Sequence, residues 1–259
     1  MMKAITVEPK KPGTVRLEDI PEPDVRDGSI LVEAVAAAVC GTDIEIAEGK
    51  YGWAPPGRAR LVLGHESLGR VIDPGTSASF KKGDLVAELV RRPDPVPCPN
   101  RGVGESDMCR NGRYTERGIK EIDGFMSERW RIEPEYAIKV DPTLGILGVL
   151  IEPTTVIIKA LEQVLAVGQR SFWEPKTLIV TGAGPIGLLA AAVVLKNNVV
   201  VGSVNANKRH WYKASERLAR LDRKWLSRLI TRFETPENFK EALERQPDDI
   251  KVVIQFSEV

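Results

Sequence analysis

The first 150 positions alternate between short apolar runs and turn-forming residues. Short segments that alternate or cluster apolar residues, at positions 15–17, 29–32, 61–63 and 69–72, are separated by proline, glycine and aspartate. Runs of this length bounded by turn residues are typical of β-strands. Many short strands at this spacing predict a β-barrel over the N-terminal part of the chain.

The pattern changes after Pro142, where apolar residues begin to recur every three or four positions. This period predicts a helix that opens near Glu152. A buried strand over 178–181 should follow, then a glycine-rich turn, a helix over 188–196 and a strand over 199–201. Further helices are expected over 211–229 and 236–245, and a final strand over 250–256. The fold class is therefore mixed α/β, with a barrel, a βαβ unit and C-terminal helices.

Composition narrows the functional classes. A length of 259 residues suits two domains, and a net charge of +1 gives no electrostatic reason to expect nucleic acid or a membrane surface as partner. Three cysteines are too few for a disulfide framework and favour metal binding. The longest apolar run, 186–195, is about half a membrane span, and no signal peptide is visible. A soluble, cytoplasmic protein is expected.

The candidate chemistry centres on Cys40 and His65. A zinc ion can bind a thiolate and an imidazole and still leave a position for substrate. Asp43 is placed to orient the His65 ring, and Thr42 could move a proton to or from a substrate oxygen. A lone cysteine or histidine is more often structural, so the interpretation depends on the pair.

Two carboxylates are candidates for the third zinc ligand. Glu66 directly follows His65, and Glu152 stands between apolar Ile151 and Pro153, where an unpaired charge would be costly. The sequence does not choose between them.

A second motif has the spacing G-x-G-x-x-G. Gly182, Gly184 and Gly187 follow an apolar run and precede an apolar helix, with Pro185 and Ile186 between the last two glycines. In that context the glycines allow a tight turn, a close approach to a pyrophosphate, and helix packing. The segment predicts a site for a dinucleotide.

Together these motifs resemble a known family. The chain is similar to the medium-chain, zinc-dependent alcohol and polyol dehydrogenases, and within them to the archaeal-type glucose 1-dehydrogenases. The likeness is carried by residues 2–5, 40–43, 63–66, 114–118, 152–153, 182–187 and 202–205. It implies a GroES-like catalytic barrel, a Rossmann domain, one catalytic zinc and NADP or NAD as cofactor.

The resemblance also implies an activity and site residues. The activity is oxidation of D-glucose or a related aldose at C1 to the lactone, by a protein that is expected to be a homo-oligomer. Thr42, Glu116, Glu152 and Asn205 would surround the sugar, while Ser203, Val204 and Asn205 would lie near the cofactor. Capping for Asn205 and a salt bridge for Glu116 are equally reasonable interpretations. A zinc-free quinone reductase is disfavoured because Cys40 and His65 are present.

The sequence departs from the family pattern in the loop after Arg92. Four cysteines of a structural zinc site would fall on Pro95, Cys98, Arg101 and Cys109, so only two remain. A closed tetrahedral site needs four ligands, and we expect no structural zinc. Cys98 and Cys109 would be free thiols, or at most a weak site with Asp107. Ile158 also replaces a carboxylate of close relatives.

A larger departure is the shortened dinucleotide-binding domain. Residues 202–205 resemble the last Rossmann strand of the family rather than its second strand, so intervening elements are missing near position 198. We expect three units: a catalytic domain over 1–172, a truncated βαβ unit over 173–204, and a segment over 205–259 that packs back on the catalytic domain. Lys208 and Arg209 then do not form a clamp for a 2′-phosphate.

Truncation predicts exposed apolar surface and weak cofactor binding. The alternative function is accordingly a non-catalytic, metal-binding remnant of the same enzyme.

Overall fold

Helices and strands follow one another in the order that the hydrophobic pattern predicts, with some differences. The structure is a computed structural model, and it describes residues 1–170, 172, 179–180, 182, 184–193 and 206–259. The strands are β1 Met2–Val7, β2 Arg16–Ile20, β3 Ile30–Val39, β4 Leu61–Val62, β5 Glu66–Asp73, β6 Leu85–Glu88, β7 Arg91–Arg92, β8 Thr115–Arg117, β9 Glu121–Ile122, β10 Arg129–Ile132, β11 Ala137–Lys139, β12 Ile230–Glu234 and β13 Lys251–Gln255. The helices are α1 Gly41–Ala47, α2 Pro99–Gly102, α3 Ile151–Gly168, α4 Pro185–Val193, α5 Lys208–Ala219, α6 Arg223–Leu226 and α7 Phe239–Leu243.

The longest strand, β3, lies in the middle of the main sheet. The order of that sheet is β11-β6-β5-β3-β13-β12, and β10 also pairs with β3. Two smaller sheets have the orders β2-β1-β4 and β7-β8-β9. The alanine-rich second half of β3 is buried on both faces, because small side chains let neighbouring layers pack closely against it. β3 therefore fixes the position of whatever follows it.

The C-terminal segment contributes to this sheet. β13 pairs antiparallel with β3, and β12 pairs parallel with β13. The final strand was predicted within one residue at each end, whereas β12 was not predicted. The prediction of one helix over 211–229 was wrong: α5 ends at Ala219 and α6 begins at Arg223, because the Asp222 side chain accepts a hydrogen bond from the Trp225 amide and starts a new helix.

Helix α3 forms part of the protein core. It begins one residue before the predicted start and buries Ile157 and Ile158 against the main apolar cluster. The stretch Pro142–Gly168 is long and apolar enough to cross a membrane, but 67% of its most apolar window is buried within the protein. Burial of this extent is expected of a core helix in a soluble protein.

The glycine-rich segment differs from the barrel in its burial. Ile179 and Val180 are 67% and 36% exposed, so the prediction of a buried strand over 178–181 is wrong for these two residues. Ile186 at the start of α4 is also exposed. The predicted strand 199–201, and Ser203, Val204 and Asn205, lie outside the described residues.

Candidate active site

Cys40 stands at the junction between β3 and α1. It is the residue that caps the N-terminus of α1, and its backbone N–H donates to Asp43 Oδ2 at 2.8 Å. The other oxygen of the same carboxylate, Oδ1, lies 3.4 Å from His65 Nδ1. Asp43 is fully buried. One carboxylate thus holds both the Cys40 backbone and the His65 ring.

His65 reaches this position through a tight backbone crossing at Gly64. Gly64 has φ of +93°, and a Cβ at this residue would come within 2.6 Å of the Met126 side chain. Only glycine combines this conformation with so close an approach. Glu66 then begins β5 and pairs with Ala38 in β3. The crossing therefore delivers both His65 and Glu66 to the end of β3.

Strands β5 and β13 pair with β3 on its two sides, and each places a charged residue near Cys40. β5 brings Glu66, while β13 brings Lys251, whose Nζ donates to both Glu66 carboxylate oxygens at 2.8 Å and to the Val39 carbonyl at 3.3 Å. Lys251 is 5% exposed and Glu66 is 1% exposed. A buried carboxylate of this kind requires a cationic partner. Lys251 was not predicted as a site residue, although a lysine between Ile250 and Val252 was the available signal.

These elements bring three metal-binding side chains together. Ligand atoms of Cys40, His65 and Glu66 all lie within 4.8 Å of one another. The pairing of His65 Nδ1 with Asp43 leaves Nε2 as the ring nitrogen for a metal. A thiolate, an imidazole and a carboxylate are a donor set that zinc takes in catalytic sites. The residues present fit a zinc ion.

The site concentrates charge in a buried space. Burial opposes protonation of His65, but Asp43 and Cys40 outweigh it and raise the pKa of His65 well above its usual value. Burial, assisted by the negative charge of Glu66, raises the pKa of Glu152 to about 7. Glu152 lies in the first turn of α3, outside the compact three-residue group. A cation bound among these groups would lower the repulsion between the carboxylates.

A cavity of about 220 Å³ connects the metal-binding group with the glycine-rich segment. Its lining includes Cys40, Glu66 and Lys251 on one side and Pro185 and Ile186 on the other. The first turn of helix α4 therefore faces the same space as the metal-binding group.

Two of the predicted glycines have environments that favour glycine. Gly182 has φ of +98°, and a Cβ on Gly187 would meet the Gly182 carbonyl oxygen at 2.1 Å. A Cβ on Gly184 would meet no atom of the described residues within 4 Å. These environments are compatible with the tight turn and the close packing for which a G-x-G-x-x-G segment uses its first and third glycines.

The other predicted site residues that the structure describes do not line the 220 Å³ cavity. Thr42 is half-buried in the first turn of α1. Glu116 is 7% exposed in β8, where its Oε1 accepts from Arg91 Nη2 at 2.9 Å. Neither residue is among the described lining of the 220 Å³ cavity. Ile158 packs in the main core rather than at the metal-binding group.

Arg209 is occupied by carboxylates at the surface. Its Nη1 lies 2.8 Å from Glu105 Oε1, and its Nε lies 2.8 Å from Glu162 Oε2. Both contacts involve the Arg209 guanidinium, and the absence of a 2′-phosphate clamp at Lys208 and Arg209 stays a prediction.

Fold and site define a class of protein. A strand-rich N-terminal domain with a buried Cys–His–Glu group, followed by a glycine-rich turn and helix, is the arrangement of zinc-dependent medium-chain dehydrogenases. Residues 26–142 match the alcohol dehydrogenase GroES-like domain, and residues 145–194 and 191–256 match the glucose dehydrogenase C-terminus.

Individual relatives narrow the class. Glucose 1-dehydrogenase of Methanocella arvoryzae is 40% identical over 214 residues, which span 82% of this chain and 60% of that protein. Glucose 1-dehydrogenase 1 of Caldivirga maquilingensis is 30% identical over a 352-position alignment that covers 99% of both. The solved structure of Haloferax mediterranei glucose dehydrogenase in complex with NADP, Zn and gluconolactone superposes with a TM-score of 0.88 at 25% identity, covering 100% of both chains.

The chain belongs to the glucose dehydrogenase family. The resemblance and the fold class inferred from the sequence are thereby confirmed. Its 259 residues are fewer than the 352 positions of the longer alignment, which agrees with the internal shortening that the motif order indicates.

Proposed function

We propose that this chain oxidises D-glucose or a related aldose at C1 to the lactone, with hydride transfer to NADP or NAD, in a zinc-dependent reaction. The single observation that carries the proposal is the Cys40–His65–Glu66 group at one end of a cavity whose other end is the start of α4. The Haloferax relative, crystallised with NADP, Zn and gluconolactone, supports the same chemistry.

In this proposal Cys40, His65 and Glu66 hold the zinc ion, with Glu152 as the alternative third ligand. When bound, zinc acts as a Lewis acid that stabilises negative charge on the substrate oxygen. Asp43 keeps the His65 ring oriented. Lys251 neutralises part of the Glu66 charge and limits how far that carboxylate can move.

Proton transfer and substrate recognition fall to groups around this centre. Thr42 is the proposed relay for the substrate hydroxyl proton, and Glu152 is proposed to contact the sugar. Glu116 and Asn205 are proposed to bind sugar hydroxyls. Gly182, Gly184, Pro185, Ile186 and Gly187 would receive the pyrophosphate at the α4 N-terminus, and Ser203, Val204 and Asn205 the nicotinamide.

We also propose that the chain has three units, 1–172, 173–204 and 205–259, and that it forms a homo-oligomer in the cytoplasm. Pairing of β13 with β3 supports the idea that the last unit packs on the first. The remnant hypothesis is the less favoured one, because the relatives that match the chain are glucose dehydrogenases.

The test is turnover by the zinc-loaded chain. D-glucose and NADP should give an increase at the nicotinamide absorbance band that Cys40→Ala abolishes. Cys109→Ala is the matched control, because it removes a cysteine outside the metal-binding group and should retain activity. Zinc binding without turnover at saturating NADP would contradict the proposal and favour the remnant.

A further inference from the structure

Two cysteines face each other in the loop between β7 and β8. Cys98 Sγ and Cys109 Sγ are 4.0 Å apart, and both thiols are free. Cys98 is 7% exposed, whereas Cys109 is half-buried and open to small reagents. The third cysteine, Cys40, belongs to the candidate zinc site.

The loop is closed by protein hydrogen bonds around this pair. Arg101 Nη1 donates to the Asp94 carbonyl at 2.8 Å, and Asn111 Nδ2 donates to the Val96 carbonyl at 3.0 Å. The first contact folds the Cys98 segment on itself, and the second joins it to the Cys109 segment. The sulfurs are therefore kept near each other by the backbone that carries them.

Among the described residues, Cys98 and Cys109 belong to no compact group of three metal-binding side chains. Asp107 Oδ2 is 2.6 Å from Lys159 Nζ, and both side chains are buried. Within the part of the chain that the structure describes, the compact group of three metal-binding side chains lies at Cys40, His65 and Glu66. The sulfurs of Cys98 and Cys109 are therefore placed next to each other and apart from that group.

The surroundings of Cys98 favour its reactive form. Backbone N–H groups of Arg101 and Arg110 hydrogen-bond its sulfur and lower the pKa of the thiol, against the opposing effect of burial. The thiolate is the form that attacks a disulfide. A disulfide needs about 2.05 Å between sulfurs, and Cys109 Sγ, 4.0 Å away, can close that distance by side-chain rotation.

We propose that Cys98 and Cys109 form a reversible, redox-responsive disulfide that cross-links this loop. With glutathione disulfide as oxidant, the more exposed Cys109 thiolate attacks one sulfur, and a mixed disulfide forms as one glutathione leaves. The Cys98 thiolate then attacks Cys109 Sγ, and the second glutathione leaves. Two protein thiols are oxidised, one glutathione disulfide is reduced to two glutathiones, and the two thiol protons pass to the leaving glutathione thiolates.

The disulfide would constrain a loop that is connected to β8 through Arg91. The Asp107 carbonyl, two residues before Cys109, accepts from Arg91 Nη1 at 2.8 Å, and Arg91 is also bonded to Glu116. Closing the loop at Cys109 should therefore restrict residues 98–109 and slow exchange of their amide hydrogens. Transient, sensing disulfides of this kind are the ones found in reducing compartments.

Thiol titration tests the proposal in the full chain. After incubation with glutathione disulfide and removal of the reagent, the denatured protein should show one titratable thiol instead of its three. Peptide mass spectrometry should find Cys98 joined to Cys109, and dithiothreitol should restore three thiols. Hydrogen exchange over 98–109 should be slower in the oxidised form.

Matched variants make the outcome specific. Cys40→Ser should still form the bond, whereas Cys98→Ser and Cys109→Ser should each leave the remaining loop thiol free or glutathionylated. Three thiols after oxidation, mixed disulfides alone at Cys98 and Cys109, or a bond that involves Cys40 would overturn the proposal. Activity is not needed as a readout, so the outcome is independent of the proposed oxidation of glucose.

Discussion

The metal-binding end of β3 and the glycine-rich segment before α4 line one cavity but differ in how they are supported. Cys40, His65 and Glu66 are held by a shared carboxylate, a buried lysine and paired strands on both sides of β3. Around the glycines, by contrast, Ile179 and Ile186 are exposed. A site depends on the shell that holds its residues as much as on the residues themselves.

The largest effect is expected from removing the lysine that supports Glu66. Lys251→Met should lower the free energy of unfolding by about 3–5 kcal/mol, because it leaves a buried carboxylate without its partner. Urea denaturation measures the change. The double variant Lys251→Met with Glu66→Gln should recover much of the loss, and equal losses in the single and double variants would show that the charge pair is not the cause.

Removing a proposed ligand should disable the metal site while sparing the fold. Cys40→Ala should weaken zinc binding by more than the roughly 10–100-fold that a change outside the ligand set produces. Competition with a chromogenic chelator measures the affinity, with Cys109→Ala as control. Unchanged affinity in Cys40→Ala would place the zinc elsewhere.

Replacing Asp43, which contacts both Cys40 and His65, should have an intermediate effect on zinc affinity. Asp43→Asn keeps an acceptor for the Cys40 amide but removes the negative charge beside His65, so zinc affinity should fall by about 10–100-fold. Asp19→Asn changes an exposed carboxylate on β2 and should have no effect on the affinity. A similar loss in both variants would point to overall charge instead.

The smallest effect concerns the anchoring of α5 on α3. Burial opposes ionisation of Glu162, but hydrogen bonds from Lys213, Arg209 and His210 outweigh it and lower its pKa from 4.5 to about 2. Since the folded pKa is the lower one, the stabilisation is complete above pH 4.5 and is lost as the pH falls towards 2.

Glu162→Gln tests this anchor. It should remove on the order of 1 kcal/mol at neutral pH and flatten the acid limb of the stability curve. An acid limb as steep as that of the unchanged chain would exclude Glu162 as its source.

Local sequence patterns were enough to predict Cys40 and His65 but not Lys251. Cys40 and His65 were identified because a thiolate and an imidazole are a metal-binding pair that the residue types alone indicate. Lys251 was missed because it is 185 positions from Glu66 and is brought there by the pairing of β13 with β3. β12 was missed for a similar reason, since its parallel partner and not its own pattern defines it.

Hydrophobic periodicity also did not predict where one helix ends and the next begins. Asp222 interrupts a continuous helical pattern because its side chain caps the next turn, a local bond that periodicity does not report. A salt bridge was one of two interpretations of Glu116, but its partner Arg91 was not predicted, because β7 and β8 are separated by the cysteine-bearing loop.

The most direct test of the difference between the two regions is to titrate the same metal-free protein with zinc and then with NADPH. Calorimetry for zinc and nicotinamide fluorescence for NADPH give both affinities on one sample. We predict one zinc ion per chain, lost in Cys40→Ala, and NADPH binding weaker than micromolar. Micromolar or tighter NADPH binding, or zinc binding that is unchanged in Cys40→Ala, would contradict this difference between the two regions.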